Sequence, residues 1–137
     1  MLKKYNKYDS ILMPLNPTDH SYLSFEKLML PVAVDRGIGI QAMKSTANAG
    51  LLSEVHLKAC LWYVICPPIQ CLAVGCTTIG HFEADVWIAQ QFKPLAEQEI
   101  ARIRAAAERL AGPRLEGWKR DTQQRVSAYR YRDGEQG

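Results

Sequence analysis

With 137 residues, 47% hydrophobic and 23% charged, the chain has the length and make-up of one compact domain. Two domains and disorder throughout are excluded. The net charge of +3 is uneven: residues 1–100 carry eight basic and nine acidic groups, and residues 101–137 carry nine and five.

The first strand-like segment is 9–16, ending Met-Pro-Leu-Asn. It is mostly apolar rather than alternating, which predicts a strand covered on both faces, as in parallel sheets. A helix follows. Ser24 is a good N-cap, and Phe25, Leu28, Met29, Val32 and Ala33 fall on one face. Pro31 should kink or restart that helix, and Gly37 should close it. Residues 37–43 form the second predicted strand. A second helix covers 55–65, with Leu57, Leu61 and Val64 on one side, and Pro67-Pro68 stops it. The third strand is 69–74. A third helix runs from about 80 to 92, with Phe82, Val86 and Ala89 as its buried stripe. After Pro94, a last helix carries Ile100, Ile103, Ala107 and Leu110, and Gly112-Pro113 ends it. The order is β-α-β-α-β-α-α-tail. Strands alternating with helices in units of about thirty residues predict an α/β fold with a parallel sheet. Residues 5–111 are expected to form the body and 112–137 a basic, flexible tail.

The longest apolar stretch, 60–76, is broken by the two prolines and holds Gln70, so no membrane helix is expected. The basic start lacks the apolar run of a signal peptide. A cytoplasmic protein with no membrane partner is the expectation. The cysteines at 60, 66, 71 and 76 form no CxxC pair, and their spacing suits neither zinc nor an iron–sulfur cluster. Neither disulfides nor a metal is expected. The basic tail lacks the aromatic platform of a nucleic-acid arm, so nucleic acid is not expected as a partner.

Parallel α/β folds bind ligands at the C-terminal ends of their strands. Three turns lie there: 16–20, 44–50 and 75–80. In the second, Lys44 offers charge, Ser45 and Thr46 offer hydroxyls, and Gly50 allows close backbone approach. In the third, Gly75 permits a tight turn, and Cys76, Thr77 and Thr78 precede a helix whose N-terminus favours an anion. Together these read as a phosphate-binding edge, or Thr77 and Thr78 serve only as helix caps. Neither turn matches GxGxxG or GxxxxGK[ST]. Asp19-His20 is an adjacent pair, and no Ser/His/Asp or Cys/His set assembles around it.

The same residues carry a family likeness. Residues 8–16 (Tyr-Asp-Ser-Ile-Leu-Met-Pro-Leu-Asn), 25–31 (Phe-Glu-Lys-Leu-Met-Leu-Pro) and 37–44 (Gly-Ile-Gly-Ile-Gln-Ala-Met-Lys) recur in its order and spacing. So do 72–78 (Leu-Ala-Val-Gly-Cys-Thr-Thr), leading to Phe82-Glu83, and 92–99. Over about 5–110 the chain resembles the C-terminal half of an aldo/keto reductase. The resemblance implies part of a (β/α)8 TIM barrel, about three βα units plus a C-terminal helix. It also implies NADP(H) as cofactor and reduction of carbonyl compounds by the full-length family. Lys44, Ser45, Gly50 and Leu51 would lie along the pyrophosphate. Gly75, Cys76, Thr77 and Thr78 would hold the adenosine phosphate. Glu83 and Asp85 would fall near the adenine, and Asn16 would face the nicotinamide.

There are departures. The family's acid Tyr and its Lys, Asp and His come from the first half of the barrel. Tyr5, Tyr8, Tyr22 and His20 do not match those positions. Asp85 brings a negative charge near the adenine, and Ala96 stands where a Ser or Thr caps the last core helix. The expectation is a truncated reductase, from a gene fragment or a split gene, that does not reduce carbonyls alone. The alternative is a non-catalytic nucleotide-binding or interaction module that pairs with another half-barrel or with itself.

Overall fold

The computed structural model describes residues 7–119. They form a mixed α/β fold around a three-stranded parallel sheet in the order β1 (Ser10–Pro14), β2 (Gly39–Met43), β3 (Cys71–Leu72). β2 is central. Ser10 pairs with Gly39 and Pro14 with Met43 on one side, and Gln41 with Cys71 and Ala42 with Leu72 on the other. Among the described residues, β1 and β3 each leave one edge unpaired.

β3 is shorter than the predicted 69–74, for a chemical reason. The Gln70 side chain, not a backbone carbonyl, accepts the Ile40 N–H, at 2.6 Å. The Gln70 N–H still reaches Ile40 O at 2.9 Å and the Ala73 N–H reaches Ala42 O at 2.8 Å, so the chain stays alongside β2. One face of the sheet is left open in its middle row, against the two-faced burial expected of it. Met13 and Ala42 share one row and are buried, whereas Leu12, Gln41 and Cys71 share the next and are exposed.

Pro31 restarts the first helix. α1 (Phe25–Leu28) is capped by the Ser24 hydroxyl, which accepts the Lys27 N–H at 3.0 Å. α2 (Leu30–Asp35) then begins with Pro31 in its first turn, where a missing N–H costs no hydrogen bond. It closes at Gly37, whose φ of 64° suits glycine. The Ile38 N–H reaches Ala33 O and the Gly37 N–H reaches Val34 O, the paired bonds of a Schellman end. α3 (Leu57–Ile65) buries Cys60, Leu61, Tyr63 and Val64. α4 (Ile79–Gln90) and α5 (Glu97–Glu108) complete the set.

One core cluster joins Met13, Leu15, Ile40 and Ala42 of the sheet side to Leu30, Ala33, Tyr63 and Val64. A second joins Ala47, Leu51, Val55, Cys60 and Ala107, with Leu115 and Trp118 packed against it. The Arg104 guanidinium ties α5 to α1 and α3, donating to Glu26 at 2.6 Å and to the Tyr63 hydroxyl at 2.8 Å.

Two expectations are corrected. The stripe Phe82, Val86 and Ala89 is not buried: Phe82 is 58% and Val86 38% exposed, and Ala89 is exposed as well. α4 instead turns Ile88 inward, and the Trp62 indole donates to Ile88 O at 2.9 Å. The body also does not stop at residue 111. Glu116 and Lys119 are buried, and a short 3-10 turn, Gly117–Lys119, ends the described chain. The rest of the expected tail, 120–137, lies outside the described residues. Among the described residues, no helix is long and apolar enough to cross a membrane.

Candidate functional site

A cleft of about 630 Å³ opens at the C-terminal ends of β2 and β3. Residues 43–49 form one wall, 73–77 the second, and the first turns of α4 the third. The floor is apolar, from Leu57, Leu61 and Ala73. Of the residues singled out from sequence for a ligand, Lys44, Ser45, Thr46, Gly75, Thr77 and Asp85 line it. Turns some thirty residues apart in sequence meet there because β2 and β3 are parallel neighbours.

The wall after β2 has an unusual backbone. Lys44, Ala47, Asn48 and Ala49 all take left-handed φ values, of 62°, 50°, 58° and 66°. Left-handed non-glycine residues cost energy and cluster at functional segments. The turn is held by its own hydrogen bonds: Ala47 N–H to Lys44 O at 2.8 Å, Leu51 N–H to Thr46 O at 3.1 Å and Ala49 N–H to the Thr46 hydroxyl at 3.2 Å. Among the described residues, Lys44 is the only lysine or arginine lining the cleft. Its ammonium donates to Asn48 Oδ1 at 2.6 Å and lies 5.7 Å from the centre of the Trp118 ring.

The opposite wall is polar and weakly acidic. The Thr77 hydroxyl lies 3.1 Å from His81 Nδ1. Cys76, another predicted site residue, is exposed and outside the lining, and its thiol donates to Asp85 Oδ2 at 3.3 Å. Local desolvation, then that hydrogen bond and the Asp85 charge, hold the thiol above its ordinary range, so it stays protonated at neutral pH.

The other predicted residues fall elsewhere. Asn16 is fully buried and its side chain is committed. Its Oδ1 accepts the Thr18 N–H at 2.9 Å, the Thr18 hydroxyl at 2.5 Å and the Asp19 N–H at 3.2 Å, and its Nδ2 donates to Glu116 at 3.0 Å. It anchors a turn and does not line the cleft. Leu51 is a core residue. Gly50 makes its close approach to Leu115, 2.4 Å from where a Cβ would stand, and its N–H bonds Ala47 O. Thr78 caps α4, accepting the His81 N–H at 3.2 Å. Glu83 is exposed and outside the lining. Sequence reasoning did not single out Asn48 or Ala49, which line the cleft only because the turn is left-handed. Asn48 was the readable signal, since asparagine tolerates that conformation.

Among the described residues, the lining combines the Lys44 ammonium and the Asp85 carboxylate with several hydroxyls and an apolar floor. Among the described residues, no group of three or more metal-ligating side chains stands together. No family model, curated protein or solved structure matches the chain.

Proposed function

We propose that the chain is the cofactor-binding side of an aldo/keto reductase-like (β/α)8 barrel. Its cleft holds a nicotinamide dinucleotide, NADP(H) in that family, against Lys44, Ser45, Gly75 and Thr77. One observation carries the reading: the turns after β2 and β3, whose sequences bear the resemblance, meet in one cleft that contains, among the described residues, a single ammonium. Lys44 would meet the pyrophosphate, and the polar turn after β3 the adenosine phosphate. Asn16, Gly50 and Leu51 drop out as side-chain contacts. Hydride transfer to a carbonyl would need an acid and its partners from strands paired to the sheet's open edges, so the chain alone does not reduce carbonyls.

Calorimetry of the full chain with NADPH tests this. Binding that Lys44→Met abolishes is expected. No heat at millimolar NADPH would remove the reading.

A second reading is favoured by a different observation. The exposed row Leu12, Gln41 and Cys71 on the sheet accompanies exposed Ile79 (77%), Phe82 and Trp87 (58% each) on α4. An interaction module that pairs its sheet edges and apolar faces with another half-barrel would cover them. Light scattering across a concentration series would detect self-association.

A further inference from the structure

Four residues of the segment after α5 reach the turns at the strand ends. Leu115 packs where a Gly50 side chain would be. Glu116, fully buried, accepts from Asn16 at 3.0 Å. The Trp118 ring lies 5.7 Å from the Lys44 ammonium. The Lys119 ammonium donates to Asp19 at 2.6 Å, to Tyr22 O at 2.7 Å and to Glu116 at 3.1 Å. Three of these partners, Asn16, Lys44 and Gly50, are positions that the sequence assigned to a ligand.

We propose that residues 112–119 form an autoinhibitory strap, in which the Trp118 ring competes with an anionic ligand for the Lys44 ammonium. This rests on the reading that the cleft takes a phosphate-bearing ligand.

The two ends of the strap differ in strength. The Lys119 end is fastened: its side chain is 1% exposed and meets two carboxylates and a carbonyl. Breaking such a buried pair is strongly unfavourable. The Trp118 end is weaker. It holds Lys44 by a cation–π contact, and its indole Nε1 is buried with no hydrogen-bond acceptor among the described residues. A buried donor without an acceptor makes the closed position costlier. Lys44 is the only lysine or arginine among the described residues that line the cleft, and both Asn48 Oδ1, at 2.6 Å, and the Trp118 ring hold its ammonium, so each lowers the affinity of the cleft for an anion. A phosphate there competes with the ring face for the ammonium. The fastening at Lys119 does not need to open for this to happen.

The test uses the full chain and two variants. Trp118→Leu keeps an apolar side chain against the second core cluster and removes the ring face. Trp118→Phe keeps a ring face and removes the unpartnered N–H. NADPH affinity is measured by calorimetry. Lys44 exposure is measured without any ligand, as its rate of acetylation by acetic anhydride, read by peptide mass spectrometry.

Trp118→Leu should bind NADPH about two- to fivefold more tightly than the wild type, the size of one partly exposed cation–π contact. It should also acetylate Lys44 several-fold faster, with Trp118→Phe close to the wild type in both. An unchanged or slower acetylation rate in Trp118→Leu overturns the strap, whatever the ligand does. NADPH binding that is present in the wild type and unchanged or weaker in Trp118→Leu overturns it as well. No NADPH binding in either chain overturns the cofactor reading and the inhibitory role with it, while faster acetylation would still show that Trp118 shields Lys44.

Discussion

The Lys119 ammonium reaches the Asp19 carboxylate at 2.6 Å across one hundred residues of chain, and both side chains are essentially inaccessible to water. Asp19 also accepts the Ser24 hydroxyl at 2.9 Å and the N–H groups of Phe25 and Glu26 at 3.1 and 2.8 Å. The far end of the described chain therefore sets the turn that leads from β1 into α1. Lys119→Met would leave the Asp19 and Glu116 carboxylates buried without their cation. A loss of about 3–5 kcal/mol is expected in urea unfolding. Lys93→Met, at an exposed position, should stay within about 0.5 kcal/mol of the wild type. Equal effects of the two would show that residue 119 is not packed on the body.

The left-handed turn after β2 gives a prediction with an unusual sign. Ala49 has φ of 66°, a region that glycine enters without a Cβ penalty. Ala49→Gly should raise stability by about 0.5–1 kcal/mol, even though glycine adds freedom to the unfolded chain. Ala105→Gly, inside α5, should lower it by about 0.5–1 kcal/mol. If both substitutions destabilise alike, residue 49 is not left-handed.

α5 starts at Ala96, which has no side-chain acceptor for the first turn. Glu99 supplies half of a capping box by accepting the Ala96 N–H at 2.8 Å. Ala96→Ser should complete it and add about 1 kcal/mol. A melt with no upward shift would count against the boundary.

The buried Cys60 and the half-buried His20 contribute to the pH dependence in opposite directions. Burial raises the Cys60 thiol from an ordinary 9.0 to about 12. The unfolded chain ionises first, so this contribution is complete below pH 9 and is lost as pH rises toward 12. The urea midpoint should fall between pH 8 and 10.5, and less steeply in Cys60→Ala. His20 shifts the other way: desolvation, then Arg104 and Lys27, lower its pKa below 6.5, against smaller opposing effects of Glu26 and Asp19. Its contribution is present above pH 6.5 and is lost as pH falls below it. His20→Gln should flatten the acid limb between pH 6.5 and 5. An unchanged acid limb would place the His20 ring in solvent.

The strands, the Pro31 restart and the Gly37 end were legible because each has a local cause in side chain or backbone. The shortness of β3 was not, because it depends on Gln70 reaching across to Ile40. The stripe on α4 was misread for a related reason. Helical spacing marks Phe82 and Val86 as apolar neighbours but does not say which face meets α3, and Trp62 selects Ile88. At the site, Lys44, Ser45, Thr46, Gly75 and Thr77 could be found from strand ends, and Asp85 from the family resemblance. Asn16, placed by resemblance beside the nicotinamide, instead anchors a turn, and that role was not legible because its partner Glu116 lies one hundred residues away, in a segment that composition marks as tail.

Whether the turns after β2 and β3 bind one dinucleotide together is read by amide chemical-shift mapping of the full chain titrated with NADPH. Joint binding gives saturable shifts concentrated at 43–49, 73–78 and 81–85, absent in Lys44→Met. Shifts that never saturate, or that gather on the exposed faces of β1 and α4 and leave the cleft unchanged, would contradict it.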